Sequence, residues 1–182
     1  MASLAIPEVK ILKPRVFFDP RGHFFESYGR ARFHEAGIRE GFVQDNVSRS
    51  VRGVLRGLHL HHPTGQGKLV QVLHGEVFDV AVDVRVGSPT FGRWAAATLS
   101  ADNHLQLWIP AGFAHGFVVT SEEAVFAYKC TEAYAPGAEL GVRYDDPDLR
   151  ISWPVDAPMV SDKDAAHPRL RDIPPERLPR HG

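Results

Sequence analysis

The sequence predicts an all-β chain, a double-sheet jelly roll or another barrel whose interior can hold a small ligand. Three observations lead there. Sixteen glycines and fourteen prolines are spread through the 182 residues rather than gathered into a linker, and they break the chain at intervals of about ten residues. Between the breaks apolar and polar residues alternate, which is the period of a half-buried strand. Helical patterning is confined to Tyr28 to Ala36 and the approach to Leu170.

The breaks carry turn chemistry at Pro20-Arg21-Gly22, His62-Pro63-Thr64-Gly65, His74-Gly75, Gly87-Ser88-Pro89, Ala101-Asp102-Asn103, Pro110-Ala111-Gly112, Pro136-Gly137 and Asp146-Pro147. Strands are expected over Gly67 to Leu73, Glu76 to Arg85, Trp94 to Leu99, Leu105 to Ile109, Gly116 to Thr120 and Ala124 to Thr131, which are rich in β-branched and aromatic residues. In Glu76 to Arg85, Phe78, Val80, Val82 and Val84 share one face, and Asp79, Ala81 and Asp83 share the other. A face with two carboxylates meets either solvent or a polar cavity. From His167 onward Pro168, Pro174, Pro175 and Pro179 stand among charges, so this end is expected to wrap the surface or to be mobile.

A chain of this length buries roughly 70% of its unfolded surface and forms one domain, here residues 1–182. The lone Cys130 cannot form an internal disulfide, which favours a reducing compartment. With 21 basic and 22 acidic residues, interspersed, the net charge is −1, so bulk charge supplies neither a nucleic-acid nor a membrane surface. Apolar stretches such as Leu107 to Ala114 fall far below the roughly 18 residues that span a bilayer. The start, MASLAIPEVK, has no charged segment followed by an apolar one. A soluble cytoplasmic protein is expected. What stands out is ten histidines.

The densest polar segment is Gly53-Val54-Leu55-Arg56-Gly57-Leu58-His59-Leu60-His61-His62, followed by Gly65-Gln66-Gly67-Lys68. On a regular strand His59 and His61 project the same way and Arg56 the opposite way. With His115, this spacing suits a metal site in a small barrel, as in a metal-binding dioxygenase or a non-catalytic ligand binder. A metal set would also be expected to include a carboxylate soon after His61, where Pro63, Thr64, Gly65 and Gln66 stand instead. Alternatively one histidine acts as a general base. A histidine held only by structural hydrogen bonds is the common case for any one of them, but three beside Arg56 and Lys68 shift the balance.

Taken in order, the blocks Phe18-Asp19-Pro20-Arg21-Gly22-His23-Phe24-Phe25-Glu26, Phe42 to Ser48, Gly53 to His59, Gly67 to Val70, Asp79 to Arg85, Ser88 to Gly92, Gln106 to Phe117, Tyr128-Lys129 and Ser161-Asp162-Lys163-Asp164 closely resemble the dTDP-4-dehydrorhamnose 3,5-epimerases. The resemblance runs from about residue 5 to residue 170. It implies a cupin-type jelly roll with short peripheral helices. It also implies a homodimer in which N-terminal strands help complete the partner's sheet, and no metal or organic cofactor. The implied substrate is dTDP-4-dehydro-6-deoxyglucose. Its C3 and C5 hydrogens are both α to the C4 ketone, so each can leave to give an enolate and return on the opposite face. Related enzymes invert only one of the two centres.

The resemblance assigns His59 as base, Asp164 as the carboxylate paired with it and Tyr128 as acid; Lys68, set between Gly67 and the apolar Leu69-Val70, is the natural cation to stabilise the enolate oxygen. It places Arg21 and Arg56 on the nucleotide, since guanidinium forks suit phosphate oxygens. Glu26, Gln44, Asn46, His115, Glu139 and Lys163 match further ligand contacts, and Tyr134 is placed to stack on the base. Asp79 is expected to orient Lys68 or His115. Asp83 has no assigned role. One departure stands out: His61 occupies a position where the family commonly has glutamine, restoring a His-x-His pair. His23, His34, His62, His74, His104, His167 and His181 are read as ordinary polar residues.

Overall fold

Short strands with one apolar face each bury it by stacking in two sheets. The structure, a computed structural model that describes residues 2, 3 and 6–182, has this arrangement. In chain order the first strands are β1 (Ala2–Ser3), β2 (Lys10–Leu12), β3 (Val16–Asp19), β4 (Gly22–Phe25), β5 (Gln44–Val51), β6 (Leu55–His61) and β7 (Lys68–His74). They are followed by β8 (Glu76–Asp83), β9 (Trp94–Ser100), β10 (Gln106–Ile109), β11 (Phe113–Val119), β12 (Glu123–Cys130) and β13 (Glu139–Gly141). A six-stranded sheet runs β1-β2-β10-β7-β12-β5, and a five-stranded sheet runs β13-β6-β11-β8-β9. All their pairings are antiparallel. The expected double-sheet jelly roll is therefore present.

Val70, Val72 and Leu107 of one sheet meet Val77, Leu99, Phe113 and Phe117 of the other in the central core. Each such side chain contributes about 1.5–3 kcal/mol by leaving water. The five-stranded sheet is buried on its outer face as well. There Leu58, Leu60, Val80 and Val82 are covered by Leu149, Leu170, Ile173 and Leu178. The C-terminal segment thus wraps the surface. Its Leu170–Asp172 and Pro175–Arg177 form short 3-10 turns, and Arg180 bridges to Val86.

The expected helix at Tyr28 to Ala36 is α1 (Arg30–Glu35), whose Phe33 packs with Ile38 on Leu69 and Trp108 outside the six-stranded sheet. On the approach to Leu170, where helical patterning is expected, lies a second helix, α2 (Asp162–Ala165), a single turn. Its signal was the cap: the Ser161 side chain accepts a hydrogen bond from the Asp164 backbone N–H at 3.1 Å. β3 and β4 form a separate hairpin, with Phe17, Phe18 and Phe24 exposed. Among the described residues no helix is long and apolar enough to cross a membrane.

Of the two environments open to Asp79 and Asp83, neither meets bulk solvent: both are 0% exposed. Asp83 receives two hydrogen bonds from the Arg85 guanidinium, at 2.9 and 2.7 Å, and one each from the hydroxyls of Ser88 and Thr90. It pins the loop between β8 and β9. Burial opposes its ionisation, but these donors outweigh burial, and its pKa is lowered to about 2. A carboxylate depressed in the folded state contributes stability above its unfolded value near 3.8, lost as pH falls towards 2. The shift corresponds to about 2 kcal/mol. Asp83→Asn is expected to lower the thermal midpoint at neutral pH and to flatten the loss of stability between pH 4 and 2, followed by circular dichroism; an unchanged acid limb would contradict this account.

Candidate active site

A cavity of about 300 Å³ opens between the sheets, lined by side chains from β6, β7, β11, β12 and α2. β6 supplies His59. Its Nε2 lies 2.7 Å from Oδ1 of Asp164 on α2. The other oxygen, Oδ2, accepts the Gly57 backbone N–H at 3.2 Å. Burial opposes ionisation of Asp164, but the bonds from His59 and Gly57 prevail and hold its pKa below the ordinary carboxylate value. Residues 105 apart in sequence are thus joined, a pairing that spacing alone does not reveal.

His115 on β11 stands opposite His59 in the ladder. Its Nε2 is 3.0 Å from both carboxylate oxygens of Asp79 on β8. Of the two partners expected for Asp79, it is His115 that it holds. Burial penalises charge on both, lowering the histidine pKa and raising that of the aspartate. Lys68, first residue of β7, is buried, and this depresses its pKa against the pull of Cys130, Asp79 and Glu139. Tyr128 on β12 is half-buried, and burial raises its phenol pKa. All three line the same cavity as His59 and Asp164.

Arg56 corrects a sequence expectation. Alternation places it opposite His59, yet both line the cavity. The reason is a register shift in the β6–β11 ladder: His115 pairs with His59 and Phe117 with Arg56, so β6 holds one extra residue. Gly57 makes this possible, with φ +120° and with a site for Cβ only 2.6 Å from the Gly116 Cα and the His115 carbonyl. Arg56 Nε donates to Ser50 Oγ at 3.1 Å.

The remaining predicted contacts fall into two groups. Gln44, Tyr134, Glu139 and Lys163 form a connected chain. Gln44 accepts the Tyr134 backbone N–H at 2.7 Å, the Tyr134 hydroxyl donates to Glu139 Oε2 at 2.8 Å, and Lys163 pairs with the same oxygen at 2.8 Å. Gln44 also donates to Asn46, which lines an adjoining cavity beside Tyr128. Arg21 and Glu26 are elsewhere. Arg21 sits at the tip of the β3–β4 hairpin, its side chain 90% exposed and paired with Asp19, and Glu26 pairs with Arg32 at 3.2 Å.

The set His59, His61 and His115 does not come together as a metal cluster among the described residues; the group close enough is His59, Asp164 and His167. His61 is buried beside the Tyr134 ring, and burial lowers its pKa. His167 was read as an ordinary polar residue, but its ring stands edge-on to His59 at 5.6 Å. The available signal was its position three residues after Asp164. Ser48, Ser161, Phe117 and Phe126 also line the cavity without having been singled out.

A sequence profile of dTDP-4-dehydrorhamnose 3,5-epimerases matches residues 3–172. The chain belongs to this family. It is 60% identical over 163 residues to the dTDP-4-dehydrorhamnose 3,5-epimerase of Pseudomonas aeruginosa, covering 88% of this chain and 90% of the relative. A crystal structure of the dTDP-6-deoxy-D-glucose-3,5-epimerase of Legionella pneumophila in complex with dTDP-4-keto-L-rhamnose superposes with a TM-score of 0.96 at 53% identity, covering 99% of this chain and 97% of that one. A 3'-monoepimerase from Streptomyces bikiniensis in complex with dTDP-quinovose has a TM-score of 0.90 at 37% identity, covering 99% and 93%. The fold of this epimerase is accordingly the cupin-type jelly roll.

In the epimerase the approach of Gly57 to Gly116 is the local feature on which the cavity wall rests. Gly57→Ala adds a Cβ where backbone already lies, at a φ that L-residues avoid. A stability loss of about 1–3 kcal/mol or more is expected, read as a lowered midpoint in chemical unfolding. A variant as stable as the parent would show that the strands separate freely there.

Proposed function

We propose that the chain converts dTDP-4-dehydro-6-deoxy-D-glucose to dTDP-4-dehydro-L-rhamnose by proton removal and return at C3 and C5. The observation that carries this reading is the His59–Asp164 pair facing one cavity with Lys68 and Tyr128 in a member of this epimerase family. Asp164 engages Nε2 of His59, which leaves Nδ1 to take the substrate proton. The ionised carboxylate then stabilises the imidazolium that forms. Lys68 meets the charge developing on the C4 oxygen. A positioned cation there is worth about 3 kcal/mol in the transition state, and the burial that depresses its pKa also removes competing water. Tyr128, whose raised pKa keeps the phenol protonated, returns a proton to the opposite face.

Arg56 and Lys163 supply cationic contacts to the diphosphate, and Tyr134, Gln44, Asn46 and Glu139 form the rim that receives the nucleoside. His115, held by Asp79, shapes the floor of the cavity. No organic cofactor or metal is required by these steps. The reading includes a cytoplasmic location, consistent with Cys130 being a buried free thiol.

The proposal extends to a homodimer. Arg21 is remote from the cavity of its own chain, on a hairpin that exposes Phe17, Phe18 and Phe24, while Val47 and Val51 are exposed along the edge strand β5. A two-fold dimer that covers these apolar surfaces would deliver Arg21 and Glu26 to the partner's cavity. Mixing Arg21→Ala with His59→Ala then forms hybrid dimers with one intact site, and turnover is expected to recover to as much as roughly a quarter of the wild-type rate. No recovery above the sum of the two variants, with subunit exchange verified, would reject delivery across the interface.

Incubation with the 4-keto nucleotide sugar in deuterated water, followed by NMR, is expected to place deuterium at both C3 and C5. Label at one carbon would identify a single-centre epimerase, the activity named for the Streptomyces relative; label at neither would reject both. His59→Ala is expected to lose roughly 10²- to 10⁴-fold in turnover. Tyr128→Phe should still exchange protons while inverting poorly, and unimpaired inversion would remove Tyr128 from the acid role.

A further inference from the structure

Asp164 lies on α2 and His167 follows its C-cap Ala166, with the His167 backbone N–H donating to the Asp164 carbonyl at 3.4 Å. There they meet His59. One ligand atom from each of His59, Asp164 and His167 lies within 4.8 Å of the other two. The proposed chemistry makes no use of His167, and its Nδ1 is buried without a hydrogen-bond partner. Burial holds the imidazole below its ordinary pKa. It packs against Gly141, where any Cβ would collide with the ring.

We propose that His59, Asp164 and His167 form a binding site for a divalent ion of the zinc class, and that its occupancy switches off the His59 base. Two imidazoles and a carboxylate suit such ions and leave a fourth position for water. Metal–ligand bonds of about 2.0–2.2 Å set tetrahedral ligand atoms about 3.4 Å apart, between the 2.7 Å of the His59–Asp164 contact and the 4.8 Å limit of the cluster. At His59 the ion replaces the proton shared between Nε2 and Asp164. A neutral imidazole bound through Nε2 carries its single proton on Nδ1, so the nitrogen that would accept the substrate proton becomes a donor. The proton displaced from Nε2 ends on Nδ1, so one metal ion enters with no net release of a proton and no redox change. His59 and Asp164 line the reaction cavity, and His167 lines an adjoining one of about 340 Å³, so the fourth position has room.

This inference rests on His59 being the base, and the test separates the two. Zinc chloride is titrated calorimetrically into the full-length, chelator-stripped protein, with turnover followed over the same concentrations. One zinc per chain is expected, with turnover falling as it binds and returning on addition of EDTA. His167→Ala should keep its zinc-free turnover, bind zinc at least about tenfold more weakly and resist inhibition in proportion, since losing even an outer partner of a metal ligand costs about 10- to 100-fold. His167→Phe fills the space on Gly141 and should behave alike if the alanine variant is unstable. Zinc affinity unchanged in both variants would overturn the site. Binding that depends on His167 but leaves wild-type turnover intact would reject the switch, whereas near-normal turnover in zinc-free His59→Ala would reject His59 as base on its own.

Discussion

Two backbones at van der Waals limit organise the site. β6 and β11 approach so closely at Gly57 and Gly116 that each would lose the other's space to a side chain. That contact absorbs the extra residue of β6, and three consequences follow from it. Arg56 turns into the cavity, His59 keeps its place opposite His115, and the Gly57 N–H is freed from the ladder to donate to Asp164. The carboxylate that orients the base is thus itself oriented by the irregularity in the strand bearing the base.

The cavity concentrates ionisable groups in an interior that disfavours charge. Lys68, Asp79, His115 and Asp164 are all buried; the Asp164–His59 and Asp79–His115 contacts offset part of the desolvation, and Lys68 is drawn by the charges of Asp79 and Glu139. The apolar layers on either side make this tolerable. The central core, the outer layer under the C-terminal segment and the α1 layer together hold both sheets rigid. Asp83 shows the contrasting use of the same residue type. Four hydrogen bonds from Arg85, Ser88 and Thr90 side chains saturate it, so it fastens a loop and has no capacity left for chemistry.

The C-terminal region connects stability to the site. Leu170, Ile173 and Leu178 cover β6 and β8 from outside, and the chain that leads to them carries α2. Asp164, Lys163 and Ser161 reach the cavity because the segment following them is anchored by apolar burial. Its prolines suit this role, since a segment with fixed φ loses little entropy on docking.

Much was legible beforehand because it is local. Period-two alternation marked β7, β8, β9, β10 and β12, and turn residues marked their ends. The family blocks named His59, Lys68, Tyr128 and Asp164, which do share one cavity. What was not legible depends on contacts between distant residues. Alternation misplaced Arg56, since a bulge requires two strands and appears only when β11 is laid against β6. His167 looked ordinary because its neighbour His59 is 108 positions away in the chain. Arg21 and Glu26 matched family contacts by sequence, yet the fold of one chain leaves them outside the cavity. By itself the sequence determined the central strands β7 to β10 and β12, which of their faces are apolar and which residue types the chemistry draws on, because these follow from short-range sterics and side-chain chemistry. Only the tertiary structure decided that Asp79 serves His115 rather than Lys68, because that choice depends on which side chains the packed sheets bring within hydrogen-bond reach.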